Sequence, residues 1–220
     1  MNKVYFTILF ILFYFYSNSQ SINIGVGYNY YFLDQKEYSD ELGIKQDINF
    51  IGEITFNKYF KKSAIEVGYA YGTKNYSFDF TKLYNDVNVS EITSSYHHIP
   101  ILFSHRLFVI KKTFISINTG IVFFRINKFS SKNSYDDGSI SYEDGSEFNY
   151  HVGALAHFGI KCSFNLNNSV VLNFAPYYKY KFLNDYDTPN TSHEPTTDTQ
   201  IGLKFSFEWL LKNNIKFYDN

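Results

Sequence analysis

Seven polar side chains in this chain have types suited to chemistry and share one setting: Glu53, Glu66, Arg106, His157, Lys161, Lys204 and Glu208. Each sits in a segment whose alternate residues are apolar, on the less apolar face, and Lys179 joins them there. Carboxylates and cations withdrawn from water are costly unless they meet, so these residues are expected to form a network. Glu66 is expected to pair with Arg106, with Lys161 and Glu208 at the same depth and Glu53, Lys204 and His157 nearer the middle. Such a network has two readings. One is an ionic plug that stabilises a closed structure; the other is a path for protons or ions.

Other groups offer less. His97 and His98 are adjacent and point to opposite faces of an extended chain, while His97 with His105, and His151 with His157, share a face. At about 3.4 Å per residue those same-face pairs lie roughly 20–27 Å apart, too far to share an ion. The lone Cys162 permits neither an internal disulfide nor a CxxC metal site and reads as a small hydrophobe. Two similar runs, Tyr135-Asp136-Asp137-Gly138-Ser139 and Tyr142-Glu143-Asp144-Gly145-Ser146, carry Asp-Gly steps that favour tight turns and an extended hairpin. Their carboxylates also raise calcium, but the spacing is not that of an EF-hand loop. There is no Gly-x-Ser-x-Gly elbow, phosphate loop or HExxH, and a rim pair such as Asp185 with His193 is not distinctive. No catalytic residue, metal or cofactor is expected.

The segments that must position these groups alternate with period two, and none sustains a helical period. Eight recur: Ile22–Phe32, Ile48–Asn57, Ala64–Gly72, His98–Leu107, Ile115–Phe123, Tyr150–Lys161, Val170–Tyr180 and Gln200–Trp209. Strands of roughly ten to fourteen residues suit a tilted membrane crossing better than a soluble sheet. Short connections near Tyr59–Lys62, Val109–Lys112 and Leu166–Asn168 alternate with long ones near Asp34–Gln46, Ser77–Thr93, Lys128–Glu147 and Leu183–Asp198. Tight periplasmic turns and long external loops produce that pattern in outer-membrane barrels.

Aromatic residues make up 21% of the chain, which suits both strands and an interfacial girdle. The polar face is rich in glycine and sparsely charged, with Arg106, Lys161, Lys179 and Lys204 against Glu53, Glu66 and Glu208. A narrow lumen needs small residues, and a water-facing wall would be denser in charge. The fold expected is all-β: an eight-stranded antiparallel transmembrane β-barrel with its apolar face toward lipid. Lys3, the apolar run Val4–Tyr16 and Ser17-Asn18-Ser19 read as a signal peptide. The expected organisation is a signal peptide over 1–19, the barrel over 20–210 and a C-terminal tail over 211–220.

Tyr96-His97-His98-Ile99-Pro100-Ile101-Leu102-Phe103 resembles the "Y-x-x-IP-x-L" strand of the PorT-like outer-membrane β-barrel family of Bacteroidetes-type bacteria. Gly72-Thr73-Lys74, Thr119-Gly120 and the last strand with Gly202, Leu203, Phe205 and Phe207 are also similar. The family commonly ends at an aromatic of the final strand, whereas about eleven residues follow Trp209 here. The resemblance implies a barrel in a bacterial outer membrane and says little about activity. The leading expectation is a non-enzymatic scaffold presenting external loops for binding. The alternatives are a transport or protein-secretion accessory and an enzyme with its residues at the rim. Expected partners are outer-membrane lipid and, at the loops, another envelope protein or a surface ligand. With Lys+Arg 20 against Asp+Glu 21, no basic field points to nucleic acid.

Overall fold

In a computed structural model the described residues are 20–33, 43–46, 49–79, 87–144, 152–184 and 197–211. The expected signal peptide (1–19), most of the tail (212–220), His151 and the loop residues Asp185 and His193 lie outside them. Ten strands run in chain order: β1 (Ser21–Leu33), β2 (Gly43–Gln46), β3 (Asn49–Phe60), β4 (Ser63–Asp79), β5 (Val87–Ile110), β6 (Thr113–Tyr135), β7 (Ile140–Asp144), β8 (Val152–Asn165), β9 (Val170–Asn184) and β10 (Thr197–Leu210). Eight of them close a ring in the order β1, β3, β4, β5, β6, β8, β9, β10, with every neighbour antiparallel. The two short strands extend it: β2 continues along the far end of β4, and β7 pairs with the far end of β6.

The first and last strands seal the ring from Ser21 opposite Leu210 to Leu33 opposite Thr197. Closure removes the unpaired edge that hydrocarbon would not tolerate. At the end with the short connections, β3 turns into β4 at Lys61-Lys62 and β5 into β6 at Lys111-Lys112. Lys61 and Lys111 both have φ of 53°, a positive first corner that matches the right-handed twist of the flanking strands. The rim is also tied sideways: the Arg106 amide donates to the Lys62 carbonyl at 2.8 Å, Asn165 to Lys112 at 2.9 Å and Leu210 to Ser169 at 2.8 Å.

Alternation decides what faces lipid. Val26 and Phe50 are each 63% exposed, and Ile101, Ile121, Phe158 and Phe205 also point outward. Glu66, Asn173 and Ser206 point inward and are buried. The free Cys162 lies between two buried neighbours and is half-buried on the outer face. On that outer face tyrosines collect toward the long-loop end (Tyr28, Tyr30, Tyr71, Tyr178, Tyr180), and Phe60, Phe108, Phe164 and Trp209 toward the turns. Amphipathic rings at both boundaries of an apolar band are the aromatic girdles of a membrane barrel.

All four expected long connections are partly sheet: Asp34–Gln46 contains β2, and Leu183–Asp198 gives its ends to β9 and β10. Ser77–Thr93 was expected to connect strands, yet β4 runs to Asp79 and β5 begins at Val87; likewise β6 continues through Lys128 to Tyr135. In β6 the cause is a register slip, with Lys128 opposite Ser95 but Ile126 opposite Tyr96, so the extra residue Asn127 shifts the inside–outside rhythm of that strand. In β5 the rhythm runs on, with the even residues from Ser90 to Leu102 buried. Past the bulge the outward residues turn polar, and Lys132 meets Glu91 at 3.1 Å in an exposed ion pair. Gly138, with φ of 82°, turns β6 into β7, so the first Asp-Gly step makes a hairpin as expected. The Ser139 side chain and amide hold the Asp137 carboxyl below the ordinary carboxylate range.

Glycine is needed where strands curl most closely. A Cβ on Gly120 would lie 2.2 Å from the Ile101 carbonyl oxygen, and one on Gly68 equally close to that of Ile54. Gly120→Ala is therefore expected to lower unfolding stability by about 1–3 kcal/mol, read from the urea midpoint of the refolded barrel. Gly52→Ala is the matched control. A Cβ there meets nothing within 4 Å, so its midpoint should stay at the wild-type value.

Candidate functional site

The lumen is filled in tiers. Nearest the turns, Phe114 and Val171 form a small apolar floor with Tyr59 and Leu210. The Arg106 guanidinium lies at this level, 5.1 Å from the centre of the Phe114 ring.

Above the floor, the Glu208 carboxylate of β10 is held by neutral donors from three other strands. Its Oε1 accepts from the Ser21 hydroxyl at 2.5 Å, from Asn57 Nδ2 at 3.1 Å and from the Tyr59 hydroxyl, and its Oε2 accepts from Asn173 Nδ2 at 3.2 Å. Hydrogen bonds to an ionised acceptor are roughly twice as strong as neutral ones. These connect β9, β10, β1 and β3, so they stitch the seam where the chain's two ends meet.

The next tier is ionic and crosses the lumen. Lys161 Nζ of β8 lies 3.5 Å from Glu66 Oε2 of β4. Lys204 Nζ of β10 lies 3.3 Å from Glu66 Oε1 and 2.6 Å from Glu53 Oε1 of β3. Four strands are thus linked by one chain of alternating charge, Lys161–Glu66–Lys204–Glu53.

Two expectations are corrected. Glu66 does not take Arg106 as partner: in the β4–β5 register Glu66 faces Leu102, and Arg106 lies four residues further toward the turn. At about 3.4 Å per residue that offset is roughly 14 Å along the strand. Glu208 also does not share a tier with Lys161. It belongs to the seam, because strand stagger brings Ser21 and Asn57 to its level instead.

Higher still, His157 stacks on Tyr177 at 5.4 Å, and the Lys179 ammonium sits 4.7 Å from the centre of the same ring. The Tyr177 hydroxyl donates to Asn29 Oδ1. Its ring occupies space left by Gly202, where a Cβ would lie 2.2 Å from Tyr177 Cζ. His98 stacks on Tyr96 at 5.3 Å. His97 and His105, on the outer face, bond Tyr69 and Ser63 respectively. An apolar cluster of Leu102, Val122 and Leu155, with Phe124 against it, occupies the same upper part of the lumen. Its residues lie on the polar face in sequence, so alternation alone gave no sign of them. Tyr177 was missed as a partner because its acceptor, Asn29, comes from β1 at the other end of the chain.

Breaking a buried ion pair by removing one partner costs about 3–5 kcal/mol. Glu66→Gln is expected to destabilise the refolded barrel by about that amount, measured by urea unfolding in detergent or lipid. Adding Lys161→Met should recover much of the loss, since it removes the cation left unpaired.

A family model described as outer membrane protein β-barrel domain matches residues 16–185. Among curated proteins no sequence match is found. Solved structures with a similar course include Neisserial surface protein A (9% identity, 86% of this chain and 96% of that one, TM-score 0.45). Others are Ail of Yersinia pestis (9%, 87% and 98%, TM-score 0.39) and OprG of Pseudomonas aeruginosa (11%, 87% and 96%, TM-score 0.43). The assignment rests on the family model, which covers most of the strands in the ring. A closed antiparallel ring with an apolar wall and a polar lumen is what that family requires, and this chain belongs to the outer membrane protein β-barrel domain family, resident in the bacterial outer membrane.

Proposed function

We propose that this protein is a non-enzymatic scaffold whose plugged barrel holds a rigid β-ribbon above the outer membrane for binding. We read it as a PorT-like member of its family, on the Tyr96–Phe103 strand. The observation that carries the scaffold reading is the length of β5 and β6, 24 and 23 residues, joined by β7. A tilted membrane crossing needs about 9–11 residues, so roughly half of each strand is surplus to spanning. The surplus is the part that carries the water-exposed Glu91–Lys132 pair and the outward Tyr142, 73% exposed. An ordered sheet outside the membrane presents side chains with less entropy to lose on binding than a loose loop. Another envelope protein or a surface ligand is the partner class this fits. The side-chain network Lys161–Glu66–Lys204–Glu53 acts as a structural plug in this reading, not as a conduction path.

Two measurements test it. In planar bilayers the protein should give no steady conductance; a stable open channel would replace the scaffold by a transporter. In a Cys162→Ser background, Ser139→Cys should react with a membrane-impermeant maleimide on intact cells. Reaction only after lysis would place the ribbon on the wrong side.

A further inference from the structure

The upper lumen contains a small space that its own side chains do not explain. It measures about 20 Å³ and is bordered by Glu53, His98, His157, Lys179 and Lys204, with Ile51, Leu102 and Val122 as apolar wall. A space above about 10–15 Å³ holds one water-sized occupant. Buried polar groups nearly always have partners, yet the Nδ1 atoms of His98 and His157 have none among the described residues. Both rings are held in place by stacking, on Tyr96 and Tyr177. Lys179 is only 6% exposed, and among the described residues no carboxylate lies within ion-pair distance of it.

Charge points the same way. Glu53 lines the space too, but Lys204 holds it at 2.6 Å. Lys204 and Lys161 between them also hold Glu66, at 3.3 and 3.5 Å. Three ammonium groups therefore face two carboxylates, and the excess positive charge is that of Lys179. A buried ammonium with no counter-ion in contact is unfavourable, and the Tyr177 ring at 4.7 Å offsets this only in part.

We propose that this space binds one small monovalent inorganic anion, a halide such as chloride, beside Lys179 and within the wall that His98 and His157 help to form. One ion there meets the surplus charge of Lys179 inside the barrel. A space of about 20 Å³ suits a single-atom ion better than sulfate, phosphate or an organic acid. Water would serve the imidazoles but leave Lys179 uncompensated. The inference is independent of the ribbon-display reading.

The test uses the full-length refolded barrel at fixed ionic strength, with chloride exchanged for gluconate. With chloride tenfold above its Kd, the wild-type unfolding midpoint should rise by about 3–6 °C. Lys179→Gln should abolish the response. Absence of a chloride effect in the wild type, or an equal effect in both proteins, overturns the proposal. Crystals grown in bromide give a reading that needs no variant. An anomalous peak in contact with Lys179 supports the site, whereas ordinary water there, or bromide at the surface only, overturns it.

Discussion

Turning an apolar wall toward lipid leaves the charges of this chain only one place to go, and every other feature of the lumen follows from that constraint. Neither hydrocarbon outside nor bulk water inside can solvate Glu66, which is 1% exposed. Its charge has to be met by side chains that reach across the barrel from β8 and β10. The desolvation cost of such groups is close to what their attraction returns, so a buried network is weak evidence of net stability. It is strong evidence of specificity, because a slip of one residue in any of the four strands would put a charge into lipid.

Glu208 shows a different solution to the same constraint. Among the described residues no cation lies within ion-pair distance of it, and its charge is spread over neutral donors on β1, β3 and β9. The location matters: β1 and β10 are the ends of the chain, and their pairing is the contact of longest range in the ring. Closing it carries the largest loop entropy, so a polar clasp there adds to the ladder hydrogen bonds where the ring most needs it. Two prolines weaken the ladder elsewhere. Registered pairing lapses around Pro100 between β5 and β4 and around Pro176 between β9 and β8, as expected of residues with no amide hydrogen.

The wall and the ribbon divide the molecule by solvent. Below the bulge at Tyr96, outward residues of β5 are Ile101, Phe103 and Leu107; above it they are Glu91 and Thr93. The same pair of strands therefore meets lipid over one half and water over the other. Their pairing continues across the bulge, which couples the ribbon mechanically to the barrel.

The alternation of apolar and polar residues by itself determined the number of strands in the ring, the alternation of short and long connections and which face meets lipid. These are local properties: each depends on residues two apart, and the side-chain period of a strand is fixed by backbone geometry. The limit of β6 escaped that reading because an extra residue, Asn127, reverses its rhythm, and that of β5 because its outward residues turn polar above Tyr96 while the rhythm runs on. Who meets whom inside the lumen was decided only by the tertiary structure. Arg106 beside Phe114 rather than Glu66, Glu208 at the seam, and Tyr177 in the room left by Gly202 all depend on the stagger between strands. Stagger is a property of the closed ring, set by how all eight strands tilt together, and no single strand encodes it.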